Sequence, residues 1–153
     1  MTSPDQLWLG SWKLIEQRGF HEWLTHRGAT PDDATTNIDA LVNHTVLQIE
    51  SDGASVTFVW STKVRGKLRR TRTEVRYSLD GVTPTVVDGP SGPVSFTAHV
   101  DNDELVLIGG LIGSPSETHR RRVVDRRLVQ IMSVEGAADD ASSRCELMWQ
   151  RSL

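Results

Sequence analysis

The residue type best placed to do chemistry in this chain is arginine, and it is clustered. One cluster is His119-Arg120-Arg121-Arg122 with Arg126-Arg127; the other is Arg65-Gly66-Lys67-Leu68-Arg69-Arg70. Cations at this density bind phosphates when they share one face. On a strand, successive side chains point to opposite faces, so Arg121 is separated from Arg120 and Arg122. No aromatic rings are interleaved with the basic residues for bases to stack on. The net charge of −3 also gives no general attraction for polyanions. The basic runs therefore read as solvated strand faces, and nucleic acid is not expected as a partner. An Arg121 that turns inward is a different matter. A lone guanidinium in an apolar interior is costly unless an anion, an acidic side chain or ordered water meets it. Glu74 and Asp88 are the acidic residues that could serve; a ligand carboxylate, held by two parallel hydrogen bonds, suits the guanidinium fork best.

The other reactive residue types do not assemble into a known site. Histidines 21, 26, 44, 99 and 119 show neither an HxH nor an HExxH spacing, and none has a cysteine at ligand distance in sequence, so no metal or cofactor is expected. Cys145 lies in an apolar segment and reads as an inert buried thiol. Being the single cysteine, it excludes an internal disulfide and fits a reducing compartment. Gly109-Gly110 and Gly113 lack the strand–loop–helix setting of a phosphate cradle; they suit a barrel bend or a close approach to the backbone.

The elements that must position these residues follow from the apolar pattern. A chain of 153 residues fits one domain, 1–153. It shows no signal-peptide pattern at its start and no apolar run of membrane-spanning length, so a cytoplasmic protein without integral membrane association is expected, as a monomer or weak homodimer. Fourteen arginines against three lysines is a usage typical of GC-rich bacterial genomes. Residues 7–18 alternate as a strand, with Trp8, Gly10, Trp12 and Leu14 on one parity and Lys13 and Glu16 breaking the pattern. Residues 20–27 and 33–42 read as short helices, the first stopped at Gly28 and the second capped by Asp32 or Asp33. From Thr45 onward everything is β. Turns are expected at 51–54, where Gly53 supplies positive φ, at 101–103 and around Asp125. Strands are expected over 56–64, 66–79, 94–100, 104–112, 118–124, 127–134 and 144–151.

No parallel βαβ unit can be drawn from this order, and a meander of this length has a closed barrel as its simplest edge-free form. Successive turns of such a barrel alternate between its ends. The short turns would fall at one end, and the longer segments 79–93, 113–117 and 134–143 at the other, together with the helix pair. A barrel closed at one end and lidded at the other is a container.

Leu9-Gly10-Ser11-Trp12-Lys13-Leu14-Ile15, followed by Phe20-His21-Glu22-Trp23-Leu24, resembles the N-terminus of the intracellular fatty-acid-binding proteins, members of the calycin superfamily. The resemblance spans nearly the whole chain and keeps the order of elements. It implies a ten-stranded up-and-down antiparallel β-barrel with a helix-turn-helix lid between the first two strands. It also implies a hydrophobic small-molecule ligand, such as a fatty acid, in the interior. Arg121 falls on the family's inward arginine of the eighth strand. Where the family carries an Arg-x-Tyr pair in the last strand, this chain reads Leu147-x-Trp149, and 79–93 looks like an insertion beside the portal. The expected ligand-binding residues are Arg121, Trp149, Leu147, Trp60, Phe58, Phe20, Trp23, Trp12 and Tyr77. Two other readings stand beside carriage. One is a small barrel enzyme, a cyclase or isomerase for an apolar substrate, using Arg121, His119, Glu74 and Tyr77. The other is a filled barrel that binds a protein partner through its loops.

Overall fold

The computed structural model describes residues 7–63, 70–89, 92–134 and 144–152. In chain order the elements are β1 (Gly10–Arg18), α1 (Phe20–His26), α2 (Pro31–Leu41), β2 (Thr45–Ser51), β3 (Ser55–Lys63), β4 (Arg70–Ser78), β5 (Thr85–Gly89), β6 (Gly92–Asp101), β7 (Glu104–Leu111), β8 (Glu117–Val124), β9 (Arg127–Val134) and β10 (Arg144–Arg151). All ten strands form one antiparallel sheet in the order β4-β3-β2-β1-β10-β9-β8-β7-β6-β5. The sheet rolls into a barrel that is nearly closed. β4 and β5 lack a mutual ladder and meet as a seam, which the Thr85 hydroxyl bridges by donating to the Arg76 carbonyl at 3.1 Å.

Local chemistry explains the element ends. The break in alternation at Glu16 is a bulge: Leu14 faces Trp149 and Glu16 faces Met148, leaving Ile15 unpaired. β1 starts at Gly10, later than the alternation suggests, because Leu7 and Trp8 lie in a turn. The cap of α2 is also a correction. Thr30 rather than Asp32 or Asp33 caps it, its Oγ1 accepting from Asp33 N–H at 3.1 Å, and Pro31 opens the helix. Gly53 has a φ of 93° in the β2–β3 turn, as its position requires. Asp125 and Arg126 both have positive φ, 50° and 66°, the mark of a two-residue type I′ hairpin joining β8 to β9. At Gly109 a Cβ would sit 1.8 Å from the Ser95 carbonyl, so β6 and β7 approach there more closely than any side chain allows.

The segment 79–93 is not one long loop. It holds β5, preceded by a turn at 79–84 that lies with the short turns, at the end opposite the helices. The alternation of turns otherwise holds. The basic stretch 65–69 and most of 134–143 lie outside the described residues.

The interior is packed unevenly. In the half remote from the helices, Trp12, Val56, Phe58, Ala98, Leu105 and Leu128 are fully buried, and Ile49 is nearly so. Side chains at zero exposure have no water-sized space against them, so these positions form solid core. In the lid half, the inward positions Trp60, Thr73, Val87, Val94 and Phe96 all remain reachable by solvent. They belong to β3–β6. The opposite wall is closed by α1, whose Trp23 is buried together with Cys145 and Met132.

Candidate ligand-binding site

The site is built on the inner face of β8, where Glu117, His119 and Arg121 occupy alternate positions. Arg120 and Arg122 point outward and lie near Asp101 and Glu104, at 3.3–4.0 Å. Arg121 is only 3% exposed, at mid-height in the barrel. Its Nε and Nη1 find no hydrogen-bond partner among the described residues. Its guanidinium carbon lies 4.7 Å from the centre of the Phe58 ring, a cation–π contact that offsets part of the desolvation. Burial pulls its pKa down to about 10, with Tyr77 acting in the opposite direction, so the group stays charged at neutral pH. Neither acidic residue considered for it comes near. Glu74 and Asp88 lie on the outer face, exposed, with Glu74 3.7 Å from Arg72. Both face outward because strand alternation puts Val75 and Val87, not their neighbours, in the interior.

Beside Arg121, directly across from it on β9, sits buried Gln130. The Trp149 indole N–H donates to Gln130 Oε1 at 3.2 Å, which commits the amide oxygen and leaves the NH2 end with donors to offer. Arg121 and Gln130 together are rich in donors and short of acceptors. An acceptor-only group such as a carboxylate complements that balance.

One turn of the wall above Arg121, a second polar cluster ties the lid to the barrel. Arg27, at the end of α1, donates from Nε and Nη2 to Glu117 Oε2 at 3.3 and 3.1 Å. It also donates to the Trp23 carbonyl at 3.0 Å, and its guanidinium carbon lies over the Trp23 ring, 3.3 Å from its centre. Glu117 Oε1 is 3.0 Å from His119 Nε2. The His119 ring is edged by Phe96 and Trp23, with centroids at 5.1 and 6.4 Å. Burial lowers the His119 pKa below its ordinary 6.5; Glu117 resists, while the positive charges of Arg121 and Arg27 add to the lowering. Burial raises Glu117, but His119 and Arg27 outweigh it and hold the carboxyl below its ordinary range.

A testable pH dependence follows from these signs. A histidine whose folded pKa is depressed adds nothing above pH 6.5 and costs stability as pH falls below that value. The contribution of Glu117 is lost only below its own, more acidic range, so the two windows separate. Urea midpoints at pH 7.5 and 5.5 should therefore drop for the native chain and drop less for His119→Gln. Equal drops in both would remove His119 from the account.

The nine residues expected at the site divide into three groups. Arg121, Phe58 and Tyr77 come together at mid-height, with Phe58 and Tyr77 rings 5.6 Å apart. Trp60, Phe20 and Trp23 belong to the lid half, where Trp60 and Phe20 are part-exposed and Trp23 is buried. Leu147 and Trp149 are buried on the inner face of β10, and Trp12 lies at the closed end. Gln130, Arg27 and Glu117 were missed. A signal for Glu117 was present: Glu117-x-His119-x-Arg121 puts three polar side chains on one strand face. Arg27 had none, because its partner is 90 residues away. Among the described residues no group of three or more His, Cys, Asp or Glu side chains gathers as a metal would require, and no helix is long and apolar enough to cross a membrane.

Solved structures with this arrangement cover almost the entire chain. A Schistosoma mansoni fatty acid binding protein in complex with arachidonic acid superposes with a TM-score of 0.75 at 12% identity, over 99% of this chain and 100% of that one. The chain has the fold of the fatty-acid-binding proteins. A mutant of the REP1-NXSQ fatty acid transporter gives 0.74 at 18% identity, covering 95% and 98% of the two chains. The fluorescent protein UnaG gives 0.72 at 18% identity, covering 96% and 98%. At these identities the likeness speaks for the fold. No protein-family model matches the chain, and no curated protein is similar to it in sequence.

Proposed function

We propose that this protein is a cytoplasmic, single-domain carrier that holds a small hydrophobic acid inside its barrel. The observation that carries the reading is Arg121: a charged side chain, 3% exposed, whose buried Nε and Nη1 have no hydrogen-bond partner among the described residues. A buried unpaired cation is among the most expensive features a fold can keep, and a ligand carboxylate removes the expense. In this reading Arg121 and Gln130 take the acid group, Phe58 and Tyr77 form the floor beneath it, and Leu147 and Trp149 wall the cavity and orient Gln130. Trp60, Phe20 and Trp23 cover the apolar part of the ligand. Trp12 serves from below, by sealing the closed end. Apolar burial drives binding at roughly 25 cal/mol per Å², and Arg121 sets orientation. That solved proteins of the same fold include a fatty acid binding protein with arachidonic acid supports the reading from outside the chain.

Native mass spectrometry of freshly purified protein, followed by organic extraction, tests this. The expected result is a stoichiometric acidic lipid. An empty protein that also leaves a panel of fatty acids unbound would turn the assignment toward a filled barrel or an enzyme.

A further inference from the structure

We infer that the acid this site accepts is short: its apolar part extends from Arg121 toward the lid and spans no more than roughly ten carbons. The inference rests on the reading of Arg121 as the acid's partner, and adds the length and direction of the ligand. Two independent patterns in the packing support it.

The first is the solid lower half. Nearer the closed end than Arg121, the inward side chains have almost no accessible surface: Phe58 and Val56 on β3, Ile49 on β2 and Leu128 on β9, all at 1% exposure or less. On β10, Trp149 is the inward position next nearer the closed end after Leu147, and it is 3% exposed. An alkyl chain descending past Arg121 would have to displace several of these at once. Overpacking a well-filled core by even a few methylenes costs typically 1–3 kcal/mol, so a chain has no reason to go down.

The second is the upper half. Among the inward residues that solvent still reaches, Trp60, Thr73, Val87, Val94 and Phe96 lie above Arg121 on the β3–β6 side. They mark both the space for the apolar tail and the way in. Its height follows from β8 itself. Arg121 stands four residues below Glu117, the first residue of the strand. Four residues rise about 13 Å along a strand, or roughly 10 Å along the axis of a barrel whose strands are tilted near 40°. An extended chain of eight to ten carbons fills that height; anything longer emerges into water, where added methylenes gain nothing.

The test is a series of saturated monocarboxylic acids from six to eighteen carbons, measured by displacement of an environment-sensitive apolar dye from the native chain. Affinity should rise roughly fourfold per methylene up to about ten carbons and then level off or fall. A rise that continues to sixteen carbons overturns this inference while leaving the carrier reading intact, because the tail must then enter the lower half. If no acid of any length displaces the dye, the carrier reading itself fails. A second measurement uses Trp149→Leu, which opens space beside Arg121: the plateau should move to longer acids. An unmoved plateau in a folded variant would count against a floor made of core side chains.

Discussion

Arg121→Met is expected to raise the melting temperature of the ligand-free protein and, in the same step, to abolish its preference for acids. The guanidinium is buried, its Nε and Nη1 have no partner among the described residues, and the Phe58 ring lies beside it. Methionine is close in length, carries no charge and adapts its shape to an irregular gap. Exchanging buried charge for packed apolar volume stabilises by about 1–4 kcal/mol where it has been measured. For a domain of this size that corresponds to a rise of roughly 3–12 °C. The folded-state pKa of about 10 lies below the ordinary arginine range, so the cost is present in full at neutral pH and is relieved only in strong alkali. Calorimetry of the two proteins without ligand reads the first effect. Titration with an acid and the matching alcohol reads the second: the native chain should discriminate and the variant should not. A variant that melts lower, or that still prefers the acid, would mean that Arg121 is satisfied within the fold.

Trp12→Ala should have the opposite consequence for stability, and on a larger scale. Trp12 has no exposed surface, and its indole N–H donates to the Trp8 carbonyl at 2.8 Å. The Arg151 guanidinium lies 4.0 Å above its ring and donates to the carbonyls of Leu7 and Leu9. One side chain thus joins the start of β1, the end of β10 and the floor of the barrel. Removing a buried tryptophan costs about 3–5 kcal/mol through lost burial and the cavity left behind, a drop of roughly 10 °C or more here. Trp60→Ala provides the contrast. Trp60 is part-exposed in the lid half, so its loss should cost little stability and show in binding instead. Urea unfolding of both variants decides the point; similar losses would argue against the division into a packed floor and an open upper half.

The order of elements was legible because it rests on local signals: alternation along single strands, Gly28 and Gly53 at their turns, the polar step between the helices. Alternation also separated Arg121 from Arg120 and Arg122 without any knowledge of partners. β5 escaped because five residues, Thr85 to Gly89, stand between Pro84 and Pro90, and a strand that short offers no period to read. The site was legible only along each strand. That Gln130 faces Arg121 depends on the β8–β9 register, and that Arg27 reaches Glu117 depends on where the lid sits against the wall. Both are tertiary facts, and no window of sequence contains either.

The seam between β4 and β5 bears on how the molecule behaves among its own copies. An unpaired strand edge is a template on which another chain can add a strand, the first step toward aggregation. Here both edges of the ten-stranded sheet face each other across the seam. β4 carries Arg72, Glu74 and Arg76 exposed on its outer face, and β5 is five residues long and follows a proline. Charge on one edge and brevity on the other protect the place where the ladder is left open, so an incompletely closed barrel remains a poor nucleus for fibres.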